Sequence, residues 1–170
     1  MRTTLLLGCV ACATLYAQNN LTNAAVQRYF NPIRRNLEAS AELMPAEKYS
    51  FRLTSGQNTF AEWINHSSER NYRDCSTLRG EPQPEALKRL PNLKEKAEVT
   101  AALKDSFAYC AAALEKMDDQ KAGSSLEMSA AFLHVIVHNN EIYGNVVGYL
   151  RSNGIVPPST AAMRSQSKTK

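Results

Sequence analysis

The chain of 170 residues is long enough for one domain with a buried core, and its 44% hydrophobic and 21% charged residues are ordinary for a globular protein. The formal net charge of +4 overstates its basic character, because four of the 20 basic residues lie near the ends: Arg2, Arg164, Lys168 and Lys170. The rest balance the 16 acidic residues. A folded body near neutrality excludes nucleic acid as the expected partner, because phosphate binding needs a basic surface.

The first residues have the pattern of a secretory signal peptide. Arg2 supplies a positive start, residues 5–16 are mostly apolar, and Ala17 is a small residue suited to the position before a cleavage site. The apolar stretch is too short to span a membrane. We therefore predict a signal peptide over residues 1–17, a periplasmic or secreted protein, and no stable membrane insertion after signal removal. Two alternatives stay open: a lipoprotein signal ending at Cys9, and a buried first helix of a cytosolic protein.

Two of the four cysteines, Cys75 and Cys110, would remain after such a signal is removed. Each falls within a predicted helix, so a disulfide bond between them would tie two helices together, as is common in exported proteins. Two buried free thiols are the alternative, and both interpretations stay open at this point.

The first half of the chain contains two segments with apolar residues at helical spacing. The first covers residues 21–44, with Thr22 as its cap, and Pro32 is expected to kink it or to mark where its regular part begins. The second covers residues 59–78 and ends before Gly80. We therefore predict two long amphipathic helices joined by a connector.

The second half repeats this organisation. A third helix is predicted over residues 93–117, and a fourth starts at a Ser125 cap and ends at Gly154. Four amphipathic helices without a strand pattern predict an all-α fold, a four-helix bundle over residues 21–158. The polar residues 159–170 are predicted to be a disordered tail.

Three histidines are the candidate metal ligands. His134 and His138 lie four residues apart on the fourth helix and therefore share one face, one turn apart. His66, on the second helix, is the only other histidine. Imidazole is the commonest ligand for divalent transition metals, and three histidines leave a fourth position open for water or substrate. The alternative is a bundle in which these histidines are hydrogen-bonded side chains that never meet.

Glu141 is the candidate catalytic residue, because it follows His138 by three residues and lies on the same helical face. It could orient an imidazole, act as a weak fourth ligand, or act as a general base for a bound water. An exposed carboxylate without a role is the alternative. Glu62, one turn before His66, is a lesser candidate for the same roles.

These residues resemble a known family. Residues 60–66 (FAEWINH) and 134–138 (HVIVH) are similar to segments of the DinB superfamily, also called the DinB/YfiT-like metalloenzymes. Residues 41–49 and 149–158 resemble parts of its exported members. The resemblance covers about residues 21–160. It implies a four-helix bundle in which one histidine of the second helix and a pair on the fourth bind a divalent metal, commonly zinc or nickel.

Carried over to this chain, the implied ligands are His66, His134 and His138. The resemblance also implies frequent homodimers, and activities that include thiol-dependent transferases and metal-dependent hydrolases. We therefore expect an exported metal-binding protein with hydrolase or thiol-transferase activity on an unidentified small-molecule substrate. The alternative is a non-enzymatic envelope protein that its metal stabilises. A substrate-sized cavity at the histidines would favour the enzyme, and a closed cluster would favour the alternative.

Overall fold

The computed structural model of the protein describes residues 20–167, and the predicted signal peptide over residues 1–17 lies outside them. All regular structure in this part of the chain is helical, as predicted. The elements are α1 (Leu21–Ala25), a π-helical turn (Val26–Phe30), α2 (Asn31–Leu43), a 3-10 turn (Ala46–Lys48), α3 (Phe60–Arg79), α4 (Ala86–Arg89), a second 3-10 turn (Leu90–Asn92), α5 (Lys96–Glu115), α6 (Asp119–Ala122), α7 (Leu126–Ser152) and α8 (Pro158–Ser167). None of the helices between residues 20 and 167 combines the length and apolar character needed to cross a bilayer.

The first long helical segment joins α1, the π-helical turn and α2 without a break. Its cap is Asn20, not the predicted Thr22, because the Asn20 side chain accepts the backbone N–H of Asn23 at 2.8 Å. Pro32 stands in the first turn of α2. Because proline has no N–H to bond the carbonyl one turn back, the wider π-helical turn directly precedes it. The regular part of the helix therefore begins around Pro32, which is one of the two outcomes predicted for it.

Side-chain caps and glycines set the ends of α3 and α7. Thr59 and Glu62 form a reciprocal capping box at the start of α3, and Gly80 closes that helix in the left-handed conformation, with a φ of 66°. The Ser125 hydroxyl accepts the Met128 N–H at the start of α7, as predicted. These local signals place both helices close to the predicted boundaries.

The four long helical segments pack as a bundle. α3 packs against both α5 and α7, and α2 packs against the same two helices from the other side. Aromatic side chains fill the core, with Phe30 and Phe107 in an edge-to-face contact at 5.8 Å. Cys75 and Cys110 form a disulfide bond between α3 and α5, with their Cα atoms 5.2 Å apart. Of the two interpretations of these cysteines, the structure supports pairing.

The end of the chain corrects one prediction. Residues 159–170 were predicted to be a disordered tail, but most of them form α8 (Pro158–Ser167). The hydroxyl of Tyr143 on α7 accepts the backbone N–H of Ser159 at 3.0 Å and donates to the Ser159 side chain at 2.9 Å. This contact anchors the first turn, and the alanines that follow favour helix. Composition alone did not reveal the anchor.

Candidate metal centre

The packing of α3 against α7 gathers the three predicted histidines. Nε2 of His66 lies 3.0 Å from Nε2 of His138, and the two ring centroids are 5.0 Å apart. His134 stacks on His138, with ring centroids 4.7 Å apart and planes tilted by 16°. The structure therefore brings the three predicted side chains together.

The cluster is not a preformed ligand triad. Between residues 20 and 167, no group of three histidine, cysteine, aspartate or glutamate side chains is arranged to hold a metal ion. The physical reason lies in the stacked pair: nearly parallel rings keep the nitrogens of His134 and His138 in separate layers, so they do not converge on one point. The three rings form a cluster of two facing imidazoles and a third that lies against one of them.

Each histidine has a carboxylate beside its Nδ1 atom. The Nδ1 to oxygen distances are 2.7 Å for His134 and Asp74, 3.0 Å for His138 and Glu141, and 3.5 Å for His66 and Glu69. An ionised carboxylate only accepts hydrogen bonds, so these contacts favour a hydrogen on Nδ1 and a free lone pair on Nε2. This is the tautomer of a histidine that coordinates a metal through Nε2.

Sequence reasoning missed three residues of this site: Glu69, Arg70 and Asp74. They follow His66 by three, four and eight residues, so helical spacing places them on its face of α3. That spacing was the available signal. It could not show that α3 and α7 run antiparallel, which sets Asp74 opposite His134 while His66 faces His138.

The two predicted glutamates, Glu141 and Glu62, make different contacts in the structure. Glu141 accepts a hydrogen bond from Nδ1 of His138, on the ring edge away from His66, and its side chain is 67% exposed. That contact favours orientation of the imidazole among the roles considered for it. Glu62 is engaged elsewhere: its carboxylate accepts the Thr59 backbone N–H at 2.6 Å and lies 3.7 Å from Arg52. It belongs to the cap of α3, and it makes no hydrogen bond or ion pair with a histidine.

Burial and neighbouring charge keep His138 neutral. Desolvation lowers the pKa of His138 below its ordinary value, the hydrogen bond to Glu141 raises it, and the charges of His134 and His66 lower it further. The pKa of Glu69 is also lowered: burial opposes the change, but the hydrogen bonds from Arg73 and His66 outweigh burial. These two shifts favour a neutral His138 and an ionised Glu69.

The two facing nitrogens make an unusual contact. If Nδ1 of His66 and Nδ1 of His138 both carry hydrogens toward their carboxylates, two Nε2 lone pairs face each other at 3.0 Å. A proton or a metal ion between the nitrogens relieves that repulsion. The lowered pKa of His138 disfavours a proton on that ring.

A buried polar network lies directly beneath the cluster. The Ser67 hydroxyl donates to Oδ1 of Asn139 at 2.6 Å, and the Asn139 amide donates to Oδ1 of Asn71 at 2.7 Å. Asn71 in turn donates to Ser106 of α5 at 3.1 Å. Ser67 and Asn139 are the immediate neighbours of His66 and His138, so this network sets the register of the two helices at the site.

The cluster is open to solvent on the side of α3. His66 forms part of the wall of a cavity of about 380 Å³. The other lining residues are Asn58, Glu62, Asn65, Glu69, Arg73, Leu87, Leu90 and Pro91. The side chains of His66 and His134 are 34% and 39% exposed, and that of His138 is 19% exposed. The site is accordingly a half-open cluster with both polar and apolar walls.

The fold and the site together define a class of protein, an all-helical bundle with a histidine cluster between two antiparallel helices. The family model described as DinB superfamily matches residues 29–141, more than half of the chain and all three histidines. The chain therefore belongs to the DinB superfamily, as its sequence predicted. No match was found among the curated proteins or among the solved structures.

Proposed function

We propose that this protein binds one divalent metal ion, zinc or nickel, through His66, His134 and His138. The observation that carries the proposal is the pair of Nε2 atoms of His66 and His138, which face each other at 3.0 Å while a carboxylate lies beside each Nδ1. Membership of the DinB superfamily supports it, because the resemblance implies the same three ligands.

The donor set fits such an ion. Neutral imidazoles suit both zinc and nickel. The 3.0 Å between the facing nitrogens is a few tenths of an ångström less than the roughly 3.3 Å that follows from tetrahedral zinc with Zn–N bonds near 2.0–2.1 Å. A small parting of His66 and His138 and a rotation of the His134 ring would complete the set.

In this proposal, the chain's own residues orient the ligands and leave one position open. Glu141 holds the tautomer of His138, and the cavity beside His66 admits a small-molecule substrate. A divalent metal held by three imidazoles supplies a Lewis acid that makes a water molecule or a thiol a better nucleophile near neutral pH. The proposed activity is metal-dependent hydrolysis or thiol transfer.

A non-enzymatic protein that its metal stabilises is the second candidate. The cavity of about 380 Å³ at His66 and the partial exposure of the rings favour the enzyme, because a purely structural site is closed by its ligands. The half-open arrangement therefore favours a site that binds a substrate.

The proposed location is periplasmic or secreted. The disulfide bond between Cys75 and Cys110 supports it, because disulfides persist in oxidising compartments. We also propose that the protein forms homodimers, and this part of the proposal is supported only by the resemblance to the family.

Elemental analysis of untagged protein tests the proposal. We expect about one zinc or nickel ion per chain as isolated, or after reconstitution of chelator-treated protein. His66→Ala and His138→Ala should abolish stoichiometric binding, whereas Asn140→Ala, an exposed neighbour on α7, should leave it unchanged. A wild type that takes up no metal in either preparation would refute the proposal.

Hydrolysis and thiol transfer are separated by turnover of chromogenic esters with and without an added low-molecular-weight thiol. Activity that needs metal but not thiol supports the hydrolase, and activity that needs both supports the transferase. A loaded protein that turns over neither class, and whose unfolding midpoint rises strongly with metal, would favour the non-enzymatic candidate.

A further inference from the structure

His134 is held differently from the other two histidines. Its Nδ1 lies 2.7 Å from Oδ2 of Asp74, the shortest of the three imidazole–carboxylate contacts. The Asp74 side chain is only 9% exposed, whereas that of Glu141 is 67% exposed. Water therefore competes much less for the Asp74 contact, and its geometry is better defined.

Arg70 fixes Asp74 from the other side. Its Nη2 donates to Oδ1 of Asp74 at 3.2 Å and lies 3.5 Å from Nδ1 of His134. Each carboxylate oxygen is thus committed to one donor, Oδ1 to the guanidinium and Oδ2 to the imidazole. The guanidinium is a permanent cation, so its bond to the Asp74 carboxylate is charge-assisted, and a carboxylate only accepts hydrogen bonds.

This arrangement determines which nitrogen of His134 carries hydrogen. With Asp74 ionised and buried, the short contact needs a hydrogen on Nδ1, and Nε2 keeps its lone pair. A histidine so held has its free nitrogen determined before any ligand binds.

We propose that Asp74, held by Arg70, is the positioning residue of His134: it fixes the Nδ1–H tautomer, which leaves the Nε2 lone pair free, and thereby sets the affinity of the centre for its metal. The consequence for metal affinity rests on the function proposed above. Glu141 and Glu69, which are more exposed and more distant from their imidazoles, contribute less to that affinity.

The tautomer is measured on the metal-free protein. Long-range ¹H–¹⁵N NMR of chelator-treated protein distinguishes Nδ1–H from Nε2–H imidazoles, and the three histidines of the chain make the spectrum simple. Loss of one set of signals in His134→Gln assigns them. We expect His134 as Nδ1–H in the wild type, a shift toward Nε2–H in Asp74→Ala, and retention of Nδ1–H in Asp74→Asn, which keeps an acceptor oxygen.

Zinc affinity is measured by competition with a chromogenic chelator. Asp74→Ala should weaken binding by about 10–100-fold, as loss of the partner of a metal-ligating histidine typically does. The matched control Asn140→Ala removes an exposed side chain of α7 whose amide donates to the Ile136 carbonyl, and it should leave the zinc affinity unchanged. The absorption spectrum of the cobalt-substituted protein should change in Asp74→Ala and stay near that of the wild type in Asn140→Ala.

Two results would overturn this inference: a wild-type His134 in the Nε2–H form, or an Asp74→Ala protein of native helicity whose His134 tautomer and zinc affinity equal those of the wild type. A wild type that binds no zinc refutes the proposed function instead, and the NMR spectrum of the metal-free protein then decides the positioning role of Asp74 by itself.

Discussion

Asn139 offers the sharpest test of how the bundle supports its site. The residue is 1% exposed, and its side chain bonds Ser67 and Asn71, which are both fully buried. Asn139→Ala leaves the Ser67 hydroxyl and Oδ1 of Asn71 without these partners. An unsatisfied buried polar group costs about 1–3 kcal/mol, so the two together should lower the free energy of unfolding by about 4 kcal/mol.

The matched control is Asn140→Ala, one residue further along α7. Asn140 is exposed, and its amide donates only to the carbonyl of Ile136 within the same helix, at 2.8 Å. Both substitutions change helix propensity alike, so their difference isolates the buried network. We expect the free energy of unfolding of Asn140→Ala to stay within about 0.5 kcal/mol of that of the wild type.

Urea unfolding of chelator-treated protein, followed by far-ultraviolet circular dichroism, measures both values. Equal slopes against urea would show that the change lies in stability and not in compactness. If Asn139→Ala lowers the free energy of unfolding no more than Asn140→Ala does, the network does not stabilise the folded state. The reasoning that it sets the register of α3 and α7 is then refuted.

Two further predictions concern the disulfide bond and pH. Replacing Cys75 and Cys110 together by alanine opens a loop with a sequence separation of 35 residues and should cost about 4 kcal/mol, measured by urea unfolding; an unchanged stability, or an unchanged mass on reduction, would contradict the bond. Because the pKa of His138 is lowered from 6.5 in the folded protein, the unfolded chain binds more protons below that pH. The free energy of unfolding of the metal-free protein should therefore fall as the pH drops below about 6.5. His138→Gln should flatten this decline between pH 6.5 and the lower pKa of folded His138. Parallel curves of stability against pH for the wild type and the variant would argue against the pKa shift.

The helices and the identity of the candidate ligands could be predicted from local patterns. Apolar spacing, the Ser125 cap and the stop at Gly154 define α7, because helix periodicity and capping are properties of neighbouring residues. The four-residue spacing of His134 and His138 likewise placed both on one face.

Contacts between distant segments could not be derived from such patterns. Nothing in the local sequence distinguishes Asp74 from other carboxylates on helices. Only the antiparallel packing of α3 and α7 places it beside His134. Similarly, the composition of the tail predicted disorder, because composition does not show that Tyr143 on another helix anchors it.

What the sequence alone determined is therefore the set of helices and the two faces that carry the histidines. The tertiary structure decided which imidazole meets which carboxylate, that Cys75 pairs with Cys110, and that His134 stacks on His138 instead of converging with it. The physical reason is that the pitch of a helix fixes its own faces, whereas the direction and register of its neighbours depend on how all the side chains between them pack.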